Sequence, residues 1–407
     1  MRTAHYVAST HWDREWYEPF QGYRMRLVSL MDELLETLER DPAYATFVMD
    51  GQVIPFHDYL EIRPEREELI RRYIAEGRIV AGPWYVLPDE WLVSGESLVR
   101  NLQMGMALSR RLGRTSRAGF CCDMFGHVGQ LPQIFSQLGI PVAFVWRGTH
   151  EKEHHGNWHW QAPDGTSVPA YRFGVVGYVN YWKRVRKPAM AGGGFDVDIA
   201  VEHMVQYVLE EARRVETGPL LLFDGADHVE VQPHTSRLIE LANRKLEPLG
   251  FRIVHSDLDR YAADLLEVAG KFDRTLVGEL RQSARDPMEV DEQSLLAGVL
   301  SSRIHLKQKN AACEDELCLF AEPWSALASV RLGSEYPGGY LHVAWKHLLE
   351  NHPHDSICGC SIDQVHRDML YRFDQSLGIS SRLTKQALAA ITTAAAPTER
   401  AEGALVL

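Results

Sequence analysis

The chain has 407 residues, which is enough for two or three domains of ordinary size. Its hydrophobic fraction of 45% and its charged fraction of 24% are those of a packed globular protein, so a mostly disordered or collagen-like chain is excluded. A formal net charge of −12 without a basic block excludes a dedicated nucleic-acid-binding protein, and no apolar run approaches the roughly 20 residues that cross a bilayer.

The first 260 residues repeat one pattern, in which a short apolar, strand-like run ends abruptly in polar residues. These runs cover residues 4–8, 45–49, 78–81, 118–122, 141–146, 168–173, 220–223 and 251–254. Helix-like stretches lie between them, for example at 25–40, 64–76, 96–112 and 198–215. Alternating strands and helices predict a parallel sheet. Seven or eight such units predict an α/β barrel over residues 1–280, with its chemistry at the C-terminal ends of the strands.

Helical periodicity replaces the strand-like runs after about residue 285. The spacing predicts a helical bundle over residues 281–395, in which residues 361–364 fit a capping box before the last helix. We predict that residues 396–407 are a linker and the start of a C-terminal β domain that this chain lacks. The reason is that Leu405, Val406 and Leu407 form an apolar run with no partner in sight.

The first polar segment with possible chemistry is His11-Trp12-Asp13, directly after the first strand-like run. Residues i and i+2 of an extended segment point the same way, so His11 and Asp13 can converge on one metal ion. The alternative is that they only form hydrogen bonds at a strand end. Trp16 and Tyr17 follow and offer flat faces that could stack on a sugar ring or belong to the core.

Two further segments carry candidate metal ligands. Asp123 follows a buried strand-like run, where its carboxylate could bind metal, act as a base or a nucleophile, or cap the strand. His352 and His354 are two residues apart with Asp355 beside them, a spacing typical of metal ligands.

Asp224 and Asp227 follow another strand-like run and form a carboxylate pair. Glycosidic cleavage requires two carboxylates in different environments, one as acid and one as nucleophile. Arg147 could bind hydroxyls or an anionic group, or form a surface salt bridge. We expect the histidine-rich segment 150–160 to be a solvent-facing loop near the mouth of the site.

Six cysteines in a chain of this length do not form a disulfide scaffold, so we predict free thiols and a cytoplasmic protein. The N-terminus has no apolar segment typical of a secretory signal. A metal pair at Cys358 and Cys360 is the weaker alternative, because four-ligand zinc sites usually have wider spacing.

Taken in order, eight motifs resemble glycoside hydrolase family 38, the α-mannosidases, and particularly its bacterial cytoplasmic members. They are HWDREW at 11–16, GPWY at 82–85, DMFGH at 123–127, WRG at 146–148, DGADH at 224–228, GELR at 278–281, SRIHLKQ at 302–308 and NHPHDSICG at 351–359. The resemblance implies a (β/α)7-like barrel, then a three-helix bundle, then β-sandwich domains beyond this chain.

The resemblance also implies the roles of individual residues. One Zn²⁺ per chain would be held by four ligands, namely His11, Asp13, Asp123 and His354. Asp123 would be the nucleophile and Asp227 the acid/base, with Asp224 as the alternative. Predicted substrate contacts are Trp16, which would carry the sugar face, Arg147, Asp355, His228 and Trp84.

The sequence therefore predicts a zinc-dependent retaining α-mannosidase that releases terminal α-mannosyl residues from oligosaccharides or mannosyl conjugates. Mannose attached to glycerate remains open, with Arg147 and the histidine-rich segment as candidate carboxylate contacts. The expected partner is an α-mannoside, with no nucleic acid or membrane, and a homo-oligomer is left open. One alternative is a metal-dependent polysaccharide deacetylase, which uses His11, Asp13 and Asp123 but gives His354 and Asp355 no role. Another is an inactive sugar-binding fragment of a longer mannosidase.

Overall fold

The computed structural model describes residues 1–283 and 295–394. The chain folds as an α/β protein, as predicted, and its strands precede a wholly helical region. Within the described ranges, no helix combines the length and apolar character that a membrane span requires. The prediction for residues 396–407, including the apolar run at Leu405 to Leu407, lies outside the described residues.

The described residues contain ten strands, and each predicted run overlaps one of them. The strands are Arg2–Ala8 (β1), Phe47–Val48 (β2), Ile79–Val80 (β3), Ala118–Cys121 (β4), Val142–Val145 (β5), Asn157–Gln161 (β6), Ser167–Arg172 (β7), Leu220–Asp224 (β8), Phe251–Ser256 (β9) and Thr275–Val277 (β10). Sequence analysis missed β6 and β10. The prediction of a solvent-facing loop at 150–160 is wrong, because Trp158 and Trp160 of β6 are fully buried.

The strands form three sheets, with orders β8-β1-β9, β10-β6-β7-β5-β4 and β2-β3. Every strand pairing is parallel except that of β6 with β7. A single bridge between Ser9 and Val48 joins the ends of β1 and β2. Parallel pairing brings the C-terminal ends of neighbouring strands to the same edge, which is where the candidate residues lie. A continuous barrel of paired strands stays a prediction.

The helices place apolar residues at helical spacing against the strands, as Leu27, Met31, Leu34 and Leu38 of the first helix do. In the region before residue 283 the α-helices are Phe20–Arg40 (α1), Ile54–Leu60 (α2), Glu67–Glu76 (α3), Gly95–Leu112 (α4), Leu131–Gln137 (α5), Glu151–His154 (α6), Lys187–Ala189 (α7), Val197–Arg214 (α8), Thr235–Leu246 (α9) and Leu258–Val268 (α10). In the helical region they are Ile304–Asp315 (α11), Glu322–Leu332 (α12), Gly338–Leu349 (α13), His354–Ile357 (α14) and Asp363–Ala394 (α15).

The long helix α15 packs against α11, α12 and α13. The chain turns into the short helix α14, where Nε2 of His354 lies 3.2 Å from Oδ1 of Asp13. Backbone bonds hold this turn in place, because the His354 amide donates to the Leu87 carbonyl at 3.0 Å and the Asp89 amide to the His352 carbonyl at 3.2 Å. The helical region thus delivers His354 to the edge of the sheets. The three-helix arrangement in particular stays a prediction.

Candidate metal centre and active site

The site begins where the chain leaves β1 and runs beside the segment that leaves β8. The His11 amide donates to the Ala226 carbonyl at 2.8 Å, and the His228 amide donates to the His11 carbonyl at 2.8 Å. These two bonds extend the parallel pairing of β1 with β8 and place His11 opposite Asp227. The segment that contains His11 and the segment that contains Asp227 therefore lie side by side at one edge of the sheet.

Four buried side chains converge here, and they are the four that sequence analysis predicts as metal ligands. Oδ1 of Asp13 lies 3.1 Å from Nε2 of His11 and 3.2 Å from Nε2 of His354. Oδ2 of Asp123 lies 3.6 Å and 3.4 Å from the same two nitrogens. The two imidazole rings stack with their centroids 5.4 Å apart. Residues separated by more than 340 positions thus face a single point.

The chemistry of this donor set fits a zinc ion. Ligands bound at about 2.1 Å in a tetrahedron lie about 3.4 Å apart, which matches the observed separations. Nε2 of His11 and Nε2 of His354 are buried and have no hydrogen-bond partner. Buried polar atoms are normally satisfied, so two nitrogens without a hydrogen-bond partner that face two carboxylates fit a cation bound between them.

The opposite nitrogens of the two imidazoles explain why Nε2 faces inward. Nδ1 of His11 lies 3.0 Å from Oδ2 of Asp50, and Nδ1 of His354 lies 3.3 Å from the Leu87 carbonyl. Such partners take the proton on Nδ1 and leave the Nε2 lone pair free for a metal. Sequence analysis did not assign Asp50 a role, although it follows β2 in the same way that Asp123 follows β4.

Asp123 is shared between the metal ligands and a buried arginine. Nε of Arg147 donates to Oδ1 of Asp123 at 2.8 Å, and Nη2 of Arg147 contacts the same oxygen. Burial acts to raise the pKa of Asp123, but Arg147 and then His354 outweigh it and lower that pKa to about 2. The surface salt bridge that the sequence left open for Arg147 is therefore a buried pair inside the site.

The two carboxylates at the C-terminal end of β8 occupy different environments. Asp224 is buried, accepts a hydrogen bond from the Tyr6 hydroxyl and lies 3.5 Å from Nη1 of Arg186. Asp227 is exposed to a cavity, where its Oδ1 accepts a hydrogen bond from the Tyr178 hydroxyl at 2.7 Å. Burial raises the pKa of both carboxyls. What distinguishes them is that Asp227 lines the cavity and Asp224 does not.

This cavity adjoins the candidate metal centre. Its volume is about 390 Å³. It is lined by Trp146, Arg147, Tyr178, Val179, Trp182, Lys183, Ala226, Asp227 and Val229. Arg147 lines the cavity and also contacts Asp123, so Asp123 lies directly behind one residue of the cavity wall.

Asp355 and His228 lie beside the convergence point. Asp355 is buried, with a carboxylate oxygen close to Asp13 and His354, and its Oδ1 accepts a hydrogen bond from Sγ of Cys360 at 3.0 Å. Nε2 of His228 accepts a hydrogen bond from the Asp13 amide at 3.3 Å. This bond makes His228 a neighbour that positions Asp13.

The two predicted aromatic contacts differ in access. Trp16 is half-buried, with its ring edge-on to Tyr17 at 5.0 Å. Trp84 is fully buried, and its indole N–H donates to the Phe120 carbonyl at 3.0 Å. The prediction of a substrate contact for Trp84 is therefore wrong, because no face of its ring is open to a ligand.

Comparisons with known proteins match nearly the whole chain. Residues 1–276 match the Glycosyl hydrolases family 38 N-terminal domain, and residues 294–391 match the Alpha mannosidase middle domain. A putative mannosylglycerate hydrolase of Halalkalibacterium halodurans is 37% identical over 387 residues, which are 92% of this chain and 41% of that protein. Human Alpha-mannosidase 2C1 is 24% identical over 96% of this chain and 35% of its own length.

A solved structure gives the same result. The crystal structure of an alpha-mannosidase from Enterococcus faecalis V583 superposes with a TM-score of 0.86 and 33% identity, over 97% of this chain and 43% of that chain. The chain thus spans less than half of the length of each of these relatives.

Proposed function

This chain belongs to glycosyl hydrolase family 38, as its motifs predicted, and we propose that it carries the catalytic centre of a zinc-dependent retaining α-mannosidase. The observation that carries the proposal is the convergence of His11, Asp13, Asp123 and His354, with two buried Nε2 atoms that lack a partner. One Zn²⁺ per chain would be held by these four side chains. When bound, it would supply positive charge that binds sugar hydroxyls and polarises the substrate.

Asp123 is the proposed nucleophile. Its Oδ1 is held by Arg147, and Arg147 lines the cavity that holds Asp227. The carboxylate attacks the anomeric carbon, and the bond from that carbon to the leaving oxygen breaks. A covalent glycosyl ester on Asp123 results.

Asp227 is the proposed acid/base, because it faces the cavity whereas Asp224 is buried against Tyr6 and Arg186. Its carboxyl gives a proton to the departing oxygen. It then takes a proton from the water that hydrolyses the ester, so the anomeric configuration is retained. The Tyr178 hydroxyl, bonded to Oδ1, fixes the orientation of this carboxyl.

The substrate class follows from the family and from the relatives. We propose terminal α-mannosyl residues of oligosaccharides or mannosyl conjugates, including mannose linked to glycerate. Trp16 would stack on the sugar and Asp355 would accept from its hydroxyls. His228 would act by positioning Asp13.

We also propose two features of the fold and a cellular location. They are a (β/α)7-like barrel over residues 1–280, a three-helix bundle over 281–395 and a cytoplasmic location. The free thiols of the described residues support that location.

The deacetylase alternative is weaker, because it gives no role to His354, which contacts both Asp13 and Asp123. An inactive sugar-binding fragment is the other alternative, since the chain spans 41% of the Halalkalibacterium relative. Hydrolysis of an aryl α-mannoside by this chain, with and without a chelator, separates the three.

The α-mannosidase requires release of mannose that stops with chelator and returns with zinc. The first product anomer, followed by NMR, should be α. Elemental analysis should give one zinc per chain. Binding of mannose without hydrolysis would show an inactive fragment, and metal-dependent release of acetate from an acetylated sugar would contradict the proposal.

A further inference from the structure

A lysine stands on the wall of the cavity that holds Asp227. Lys183 and Trp182 line this cavity of about 390 Å³ together with Asp227. They also line a second cavity of about 720 Å³, whose other lining residues are Lys187, Pro188, Met190 and Ala191. Trp182 and Lys183 therefore lie on the walls of both cavities. The leaving group of an α-mannoside would lie in the cavity that holds Asp227, because Asp227 protonates the leaving oxygen.

Lys183 lies in a backbone segment of which one side is anchored and the other is exposed. Residues Trp182–Arg186 form a π-helical segment, a rare conformation that occurs frequently at functional sites. Val185 and Arg186 of this segment are buried. Arg186 is fixed by the Glu230 carbonyl at 3.0 Å and by Asp224. With this side anchored, Lys183 on the other side is exposed.

Two nearby arginines already pair with carboxylates. Arg147 pairs with Asp123, and Arg184 pairs with Glu210. The ammonium of Lys187 lies 5.9 Å from the centroid of the Trp182 ring. Among the residues that the structure describes, no carboxylate pairs with Lys183.

Lys183 shares this cavity with Asp227, in a protein of net charge −12. An acidic protein repels anionic ligands in general, so a local positive charge is needed to attract one. A single ammonium matches a single carboxylate. The apolar faces of Trp146 and Trp182 would contact the carbon atoms of a small leaving group.

We propose that Lys183, with Trp146 and Trp182, forms a leaving-group subsite that selects α-mannosides whose aglycone carries a carboxylate. This proposal rests on the proposed function, because it needs Asp227 to face the leaving oxygen. It identifies Lys183 as the residue that determines specificity, a role that sequence analysis assigned to Arg147 and the histidine-rich segment. Arg147 is unsuited to that role because Asp123 already occupies its guanidinium.

The test compares two ligands that differ only in charge. They are the S-linked α-mannosides of glycerate and of glycerate methyl ester, which resist hydrolysis, and binding to this chain with zinc added is measured by calorimetry. The unaltered chain should bind the acid about tenfold more tightly than the ester, the usual size of a charge-assisted hydrogen bond at a partly exposed site. Lys183→Gln should weaken binding of the acid about tenfold and leave the ester within twofold. Lys183→Arg should keep most of the preference.

Lys245→Gln is the matched control, since it removes the same charge from an exposed lysine on α9. The preference of the unaltered chain for the acid should also shrink as salt rises. Equal affinity of the unaltered chain for both ligands, absence of binding, or an equal loss of both in Lys183→Gln would overturn the proposal. Hydrolysis of the O-linked ester tests the proposed function separately, since a retained preference for the acid without hydrolysis would contradict the mechanism and not the subsite.

Discussion

Nδ1 of His11 lies 3.0 Å from Oδ2 of Asp50, a buried carboxylate at the end of β2. The same oxygen accepts hydrogen bonds from the Trp12 amide at 2.8 Å and from Nε2 of Gln52 at 3.0 Å. Asp50 is therefore fixed from three sides, and it fixes His11 with Nε2 directed at Asp13 and Asp123. Asp50 is not one of the four proposed metal ligands, but it determines the orientation of the His11 imidazole.

We expect Asp50→Ala to lower zinc affinity about 10- to 100-fold, the usual effect of removing the partner of a metal-binding histidine. The measurement is competition with a chromogenic chelator. Asp164→Ala, at an exposed turn, should leave the affinity unchanged. If Asp50→Ala binds zinc as tightly as the unaltered chain, then His11 does not depend on this carboxylate for its orientation.

Asp227→Ala should slow cleavage of ordinary mannosides about 10²- to 10⁴-fold, since general acid assistance is lost. An aryl mannoside with a good leaving group needs little protonation, so its first step should persist and a glycosyl adduct on Asp123 should accumulate, visible by mass spectrometry. Asp224→Asn should instead lower the melting temperature, because it removes the buried partner of Arg186. The reverse assignment would follow if Asp224→Asn accumulated the adduct and Asp227→Ala resembled the unaltered chain.

Arg372→Leu should lower the free energy of unfolding by about 3–5 kcal/mol, the usual cost of leaving one charge of a buried pair without its partner. Nη2 of Arg372 on α15 lies 2.7 and 2.6 Å from the two oxygens of Glu15, which also accepts from the Ser356 hydroxyl at 2.9 Å. Urea unfolding gives the value, and Arg244→Ala at an exposed pair should cost less than about 1 kcal/mol. A loss of similar size in both variants would show that the Glu15–Arg372 pair adds no more than a surface contact.

His255 should lower the free energy of unfolding in mild acid. Burial lowers the pKa of His255 from 6.5 to about 4; its Nδ1 accepts from the Ala45 amide and its Nε2 donates to the Thr46 carbonyl. Below pH 6.5 the unfolded chain takes up a proton that the folded chain refuses, so stability falls as pH drops from 6.5 toward 4. The loss at this residue should reach at most about 3 kcal/mol.

The pH prediction is checked by urea unfolding at pH 7.5 and pH 4.5 with a chelator present, so that metal release does not contribute. His255→Asn should be less stable than the unaltered chain at pH 7.5 and should lose less on acidification. Parallel losses in the two proteins would mean that other groups cause the acid sensitivity.

The sequence alone determined eight of the ten described strands, because apolar runs that alternate with helical spacing are local patterns. It also placed His11, Asp13, Asp123 and His354 among the candidates, and the structure brings these four together. Local pattern failed at β6, where Asn157, His159 and Gln161 alternate with two buried tryptophans. Composition there resembles a loop, and only packing against β7 and β10 makes it a strand.

Only the tertiary structure could distinguish residues whose local sequence is alike. Asp224 is the last residue of β8 and Asp227 lies three positions further on, yet Tyr6 and Arg186, distant in sequence, enclose only Asp224. Trp16 and Trp84 both lie in motifs that resemble the family, yet only Trp84 is enclosed in the core. The physical reason is that the side-chain direction of neighbours is fixed by local backbone geometry. Whether a residue is buried, and which charge it pairs with, depends instead on the distant helices and strands that pack against it.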